Sequence, residues 1–148
     1  MKIRFNKTEI EKISQKLLNK ILKIKNKGAR VIAISGDLGA GKTTLTQELG
    51  KTLGIKTKIV SPTFVIMKTY KIKSNSVYYS HFKKLVHIDA YRLDSASDLI
   101  KLGWKELEND RDNLIIIEWP EKVQKCLGAN ACYVKLEHID NETRVFEF

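Results

Sequence analysis

Residues 31–53, VIAISGDLGAGKTTLTQELGKTL, decide how the whole chain is read. Val31, Ile32, Ala33 and Ile34 form the short apolar, β-branched run of a buried strand, and the Leu45, Leu49, Leu53 spacing that follows is helical. Between them lies Gly36-Asp37-Leu38-Gly39-Ala40-Gly41-Lys42-Thr43, a complete G-x-x-x-x-G-K-[ST] loop. Gly36 and Gly41 permit backbone dihedrals that a Cβ resists, and Gly39 adds a third such point. A backbone curled in this way turns successive N–H groups inward, and the helix starting near Gly41 adds positive potential of its own. Lys42 is then placed to reach β- and γ-phosphates as a point charge, and the Thr43 hydroxyl to ligate a Mg²⁺ that bridges them. The strand-then-helix setting is the context this motif requires, so the loop reads as a nucleoside-triphosphate site.

Composition sets the frame around that loop. A chain of 148 residues, 43% hydrophobic, predicts one domain over residues 1–148 with a single core. It holds no run of eighteen apolar residues, so no membrane span is expected. The start, Met1-Lys2-Ile3-Arg4-Phe5-Asn6, lacks the apolar stretch and cleavage site of a secretory signal. Cys126 and Cys132 stand alone, without a C-x-x-C pattern, which suits inert thiols in a reducing cytoplasm. His81, His87 and His138 are scattered and suggest no zinc site. The net charge of +10 invites a nucleic-acid reading. Its lysines are spread along the chain among Ile and Asn, however, so a compositional bias explains them as well as a binding stripe does. An acidic partner or a tRNA-containing complex also suits this charge, and no DNA partner is expected.

Taken in order, Ile3 and Phe5 alternate with polar neighbours as in an edge strand. Thr8 and Glu11 have capping-box spacing, and Ile10, Ile13, Leu17, Ile21 and Ile24 trace one face of a helix that stops near Gly28. Beyond the loop and its helix, Gly54 reads as a helix stop and residues 55–60 as a second short strand. Ser61-Pro62-Thr63-Phe64 then turns a corner. It leaves the Ser61 and Thr63 hydroxyls where open α/β sheets bind ligands, either to touch phosphate, metal-bound water or a switch, or simply to cap the turn. Residues 64–70 and 82–88 predict a hairpin with a polar tip, followed by a short helix over 96–102 capped by Asp94 or Ser95 and ended by Gly103. Leu114-Ile115-Ile116-Ile117-Glu118 is the most apolar run and reads as a central strand ended by Trp119-Pro120. Residues 132–138 and 143–148 predict an antiparallel pair. The expected fold is α/β and P-loop NTPase-like, a mixed central sheet with helices on both faces and an antiparallel C-terminal strand pair.

A phosphate loop of this kind needs further acid, because Mg²⁺ on Thr43 alone is under-anchored and the attacking water has nothing to orient it. Asp89 and Glu118 each end a buried strand, and parallel pairing beside residues 31–35 puts both at the Lys42 end of the sheet. We assign Glu118 to the metal-water shell and Asp89 to water positioning or a second metal contact; the two roles are interchangeable at this stage. Arg92 is the nearest cis candidate for neutralising transition-state charge, with packing or a salt bridge as the alternative. Trp119 either shields the site or packs as an ordinary aromatic, and Trp104 reads as core.

The residues Gly36 to Thr44 (GDLGAGKTT), Ser61-Pro62-Thr63-Phe64, His87-Ile88-Asp89-Ala90-Tyr91-Arg92-Leu93 and Ile117-Glu118-Trp119-Pro120-Glu121, in this order, resemble the TsaE family over essentially the whole chain. These are bacterial ATPases required for N6-threonylcarbamoyl modification of adenosine 37 in tRNAs that read ANN codons. The resemblance implies ATP and Mg²⁺ on the loop, with Gly36, Asp37, Leu38, Gly39, Ala40, Gly41, Lys42, Thr43 and Thr44 binding nucleotide. It further implies Thr43 and Glu118 at the metal, Asp89 in catalysis, Ser61 to Phe64 as a switch-like loop, and Thr8 near the nucleotide. The implied partners are TsaD and TsaB, with tRNA met through their complex, and ATP hydrolysis resets that complex between cycles. The segment 71–81 is longer than the corresponding hairpin of the family. Two other functions remain in view: a small-molecule kinase, disfavoured by only five arginines and no lid-sized insert, and a nucleotide-gated RNA- or protein-binding module with little turnover.

Overall fold

Seven segments form one sheet in the computed structural model of the chain, which describes residues 1–129 and 131–148. In chain order they are β1 (Lys2–Asn6), β2 (Arg30–Ser35), β3 (Met67–Lys71), β4 (Lys84–Asp89), β5 (Asn113–Glu118), β6 (Cys132–His138) and β7 (Thr143–Glu147). Across the sheet they run β1-β7-β6-β2-β5-β4-β3. The four strands β6, β2, β5 and β4 are parallel, while β3, β7 and β1 attach antiparallel at the margins. The unbroken apolar run of β5 is buried at every position, as two-sided cover demands, and each fully buried isoleucine contributes roughly 1.5–3 kcal/mol.

Alternation along the strands divides the interior in two. Ile32, Ile34, Leu114, Ile116 and Leu85 face α1 (Ile10–Lys23) and α2 (Lys42–Thr52), whereas Val31, Ala33, Ile115, Ile117, Val86 and Ile88 face α3 (Ala96–Lys101) and α4 (Trp104–Asn109). Helices therefore cover both faces, and the architecture is the expected mixed α/β sheet of the P-loop NTPase type. Trp104 is sealed in the second core. Among the described residues no helix is long and apolar enough to cross a membrane. Cys126 and Cys132 are free, and burial pushes both thiols up from their ordinary value.

Several boundaries differ from expectation. The capping box is Asn6 with Glu9, not Thr8 with Glu11, because the chain makes a 3₁₀ turn over Lys7–Glu9 before α1 begins at Ile10. Residues 55–60 join no ladder, and the chain bends at Thr57. Ile59 sits against Gly50 of α2, where an added Cβ would stand 2.2 Å from its Cδ1, and Gln47 Nε2 donates to the Ile59 carbonyl at 2.9 Å. The segment docks on α2 by side chains, so the apolar pattern was real while the strand was not. Strand β3 begins at Met67 rather than residue 64, because Pro62 accepts from the Val65 N–H and closes a turn. Helix α3 has Ser95 and Asp98 as its capping box and stops before Gly103, whose φ of 91° also starts α4, an element the sequence reading lacked.

Candidate nucleotide-binding site

The loop between β2 and α2 has positive φ at Gly36 (147°), Gly39 (79°) and Gly41 (101°). Gly36 also meets the neighbouring strand: a Cβ there would lie 2.5 Å from the Leu136 carbonyl oxygen of β6. Gly36→Ala is therefore expected to push the loop off β6 at a cost of roughly 1–3 kcal/mol. Thermal unfolding paired with an ATP titration should find both stability and affinity lowered.

Lys42 opens α2 and is only 5% exposed. Its ammonium donates to the carbonyls of Gly36 (2.6 Å) and Asp37 (2.9 Å) and lies 4.1 Å from the centre of the Trp119 ring. Burial pulls the ammonium below its ordinary value, and the nearby Glu118, Asp89, Glu121 and Asp37 oppose that pull. Thr43 turns its hydroxyl to Glu118, at 3.1 and 3.2 Å from the two carboxylate oxygens.

Parallel pairing delivers both acids to the carboxyl ends of neighbouring strands, with Asp89 directly opposite Glu118 and Glu118 opposite Ile34. Both are almost sealed, at 5% and 2% exposure. Asp89 accepts from the Tyr91 N–H (3.0 Å) and from the Thr63 hydroxyl (3.1 Å), which is itself 2.6 Å from Ser61 Oγ. The Thr63 hydroxyl thus bonds Asp89, and the Ser61 hydroxyl bonds Thr63 behind it. Behind them Ile66 adopts φ of 67°, costly for a β-branched residue, and its carbonyl accepts the Asp89 N–H at 2.8 Å.

Leu38, Gly39, Gly41, Lys42, Thr43, Thr44, Ser61, Thr63, Asp89, Glu118 and Trp119 line one cleft of about 260 Å³. Trp119 reaches it from a left-handed backbone (φ 58°) and carries Tyr91 on its ring, 5.1 Å between centroids. Arg92 lies outside this lining, 4.8 Å over the exposed Phe64 ring. A second cavity, about 380 Å³, shares Gly39, Gly41 and Thr44 with the first and runs over Ala40, Phe5, Leu45 and Leu136 to Lys7, Ile10 and Arg144. Thr8 is exposed and stands outside that lining, though Lys7, which opens the same turn, and Ile10, which follows it, belong to it.

Sequence reasoning missed two features. The second cavity joins chain segments that no motif connects. His87, fully buried, places Nε2 2.7 Å from Glu118 Oε1. The sequence shows only that residues 87 and 89 share one face of a strand; that this face meets Glu118 depends on the register of β4 against β5.

A glycine loop between a parallel strand and a helix, with acids at the ends of adjacent strands, defines a protein of the P-loop NTPase-like α/β class. Residues 6–146 match the family model described as "Threonylcarbamoyl adenosine biosynthesis protein TsaE", and the chain belongs to the TsaE family. Over 131 residues it is 38% identical to the tRNA threonylcarbamoyladenosine biosynthesis protein TsaE of Rickettsia conorii, covering 88% of this chain and 69% of that one. The protein of the same name from Haemophilus influenzae is 30% identical over 134 residues, 90% of this chain and 79% of its own. The crystal structure of Bacillus subtilis YdiB matches with a TM-score of 0.65 at 25% identity, over 99% of this chain and 83% of that one.

Proposed function

We propose that the chain, acting as one domain, is a Mg²⁺-dependent ATPase of tRNA N6-threonylcarbamoyladenosine biosynthesis. In this reading it works in the cytoplasm within a complex of TsaD and TsaB and meets tRNA through that complex. The observation that carries the proposal is the convergence of Lys42, Thr43, Glu118 and Asp89 on one cleft. Lys42 holds the β- and γ-phosphates, its ammonium leaving the Gly36 and Asp37 carbonyls for the better acceptor. Loop N–H groups from Asp37 to Thr44 hold the remaining oxygens. The base extends over Phe5, Leu45 and Leu136, beside the Thr8 turn.

The donor set fits Mg²⁺. Thr43 and Glu118 offer oxygen alone, and a metal that keeps several waters and shares phosphate oxygens needs only one or two protein ligands. Among the described residues no group of three or more His, Cys, Asp or Glu side chains is arranged to hold a metal ion. The chemistry that Mg²⁺ supplies when bound is neutralisation of charge on the β- and γ-phosphates. Asp89, aimed by Tyr91 and Thr63, accepts a hydrogen bond from the attacking water or from a water of the metal shell. Because Thr63 bonds that acid and Ser61 bonds Thr63, movement of their loop switches its geometry, and Arg92, from the turn after β4, follows through its stacking on Phe64 of that loop.

The deciding experiment measures ATP hydrolysis by the full chain alone and with TsaD and TsaB, scored beside tRNA modification. Hydrolysis that appears or rises sharply in the complex, with repeated rounds of modification depending on it, is the expected result. A complex that modifies tRNA repeatedly without consuming ATP on this chain would instead leave a nucleotide-gated binding module.

A further inference from the structure

Among the described residues, His87 is the one buried titratable side chain at the sheet's carboxyl end that the proposed chemistry leaves without a task. It is fully enclosed on β4, two residues before Asp89, and so shares that acid's face of the sheet. In the parallel ladder His87 stands opposite Ile116, which places it one diagonal step from Glu118. Its Nε2 lies 2.7 Å from Glu118 Oε1.

A carboxylate offers acceptors only, so Nε2 carries the hydrogen and donates it. The other ring nitrogen, Nδ1, is buried with no hydrogen-bond partner among the described residues. An imidazole that merely filled space here would be a poor choice beside leucine or methionine, because it brings two polar atoms into the interior and satisfies one. Its single bond goes to Glu118. With Oε1 held by His87, and Thr43 spanning both oxygens at 3.1 and 3.2 Å, the carboxyl group is pinned in one orientation toward the start of α2.

We propose that His87 is a positioning residue for the metal shell: its Nε2–H fixes Glu118 so that the second carboxylate oxygen and the Thr43 hydroxyl face Mg²⁺ together. The same logic operates where ligating groups are themselves oriented by outer hydrogen bonds, whose loss typically lowers metal affinity or activity by about 10–100-fold. This inference rests on the reading of Glu118 as the Mg²⁺-shell acid.

The test is calorimetric titration of the full chain with ADP, in Mg²⁺ and again in EDTA, the ratio of the two affinities giving the metal-dependent gain. In His87→Asn the shortened amide no longer reaches Oε1. The gain should fall about 10–100-fold, while affinity in EDTA stays within about 2-fold of the parent. His87→Gln, whose Nε2 occupies the position of the imidazole Nε2, should recover most of the gain. In a Glu118→Gln background, where the gain is already lost, His87→Asn should change nothing further. If the asparagine variant melts below the assay temperature, His87→Leu replaces it, filling the space without a donor and with the same expected loss.

The outcomes separate cleanly. A parental gain in Glu118→Gln removes the metal reading of Glu118 and this inference with it. Loss in Glu118→Gln but a parental gain in His87→Asn overturns the role of His87 alone. Equal losses in EDTA and in Mg²⁺, or no recovery in the glutamine variant, make His87 a packing residue and overturn the proposal likewise.

Discussion

Replacing Lys42 with alanine is expected to abolish nucleotide-dependent function, with ATP affinity falling on the order of 10²-fold or more, equivalent to about 2.7 kcal/mol. The reason lies in the balance around the ammonium. Burial disfavours its charge, the carboxylates of Glu118 and Asp89 sustain it, and a triphosphate would replace its two carbonyl contacts with ionised oxygens. Alanine removes the main positive charge from the cleft and leaves the two nearly sealed acids facing the incoming phosphates. Neither hydrophobic core includes Lys42, so the variant should remain folded. Circular dichroism melting alongside ATP titration checks both halves, and normal turnover in the complex with TsaD and TsaB would refute the phosphate role.

Glu118→Gln is the complementary case, because it keeps shape while deleting charge. The amide oxygen can still accept the His87 N–H, and the amide nitrogen can face Thr43 if that hydroxyl turns to accept. Nucleotide should therefore bind in EDTA within about 3-fold of the parent, while hydrolysis slows on the order of 10²-fold or more. Turnover at the parental rate would reduce Glu118 to a strand-end residue held by its neighbours.

What was legible in advance was whatever local chemistry decides. The phosphate loop carries its own geometry in its glycines, and β5 announces itself because a strand covered on both faces has no polar position to break the run. Asp89 and Glu118 could be placed together because parallel neighbours share a carboxyl end. Illegible features depended on register or on docking between distant segments. Nothing near residue 59 reveals that Gly50 supplies a notch for it, so a docking segment that joins no ladder was taken for a strand. The Asn6–Glu9 box lay two residues before the pattern that was read. The contact between His87 and Glu118 needs β4 and β5 aligned with His87 opposite Ile116, a fact about pairing rather than about either strand. The larger cavity draws Phe5 and Lys7 from one end of the chain and Leu136 and Arg144 from the other.

Trp119 gives the molecule a built-in optical gauge. Of the two indoles, Trp104 is shut inside the second core at 1% exposure, where its emission should stay constant. The other lies beneath the Lys42 ammonium, which in the function proposed above swings away when a phosphate arrives. Occupancy of the cleft is thus written into the protein's own fluorescence, and a Trp104→Phe chain would report it without dye or label.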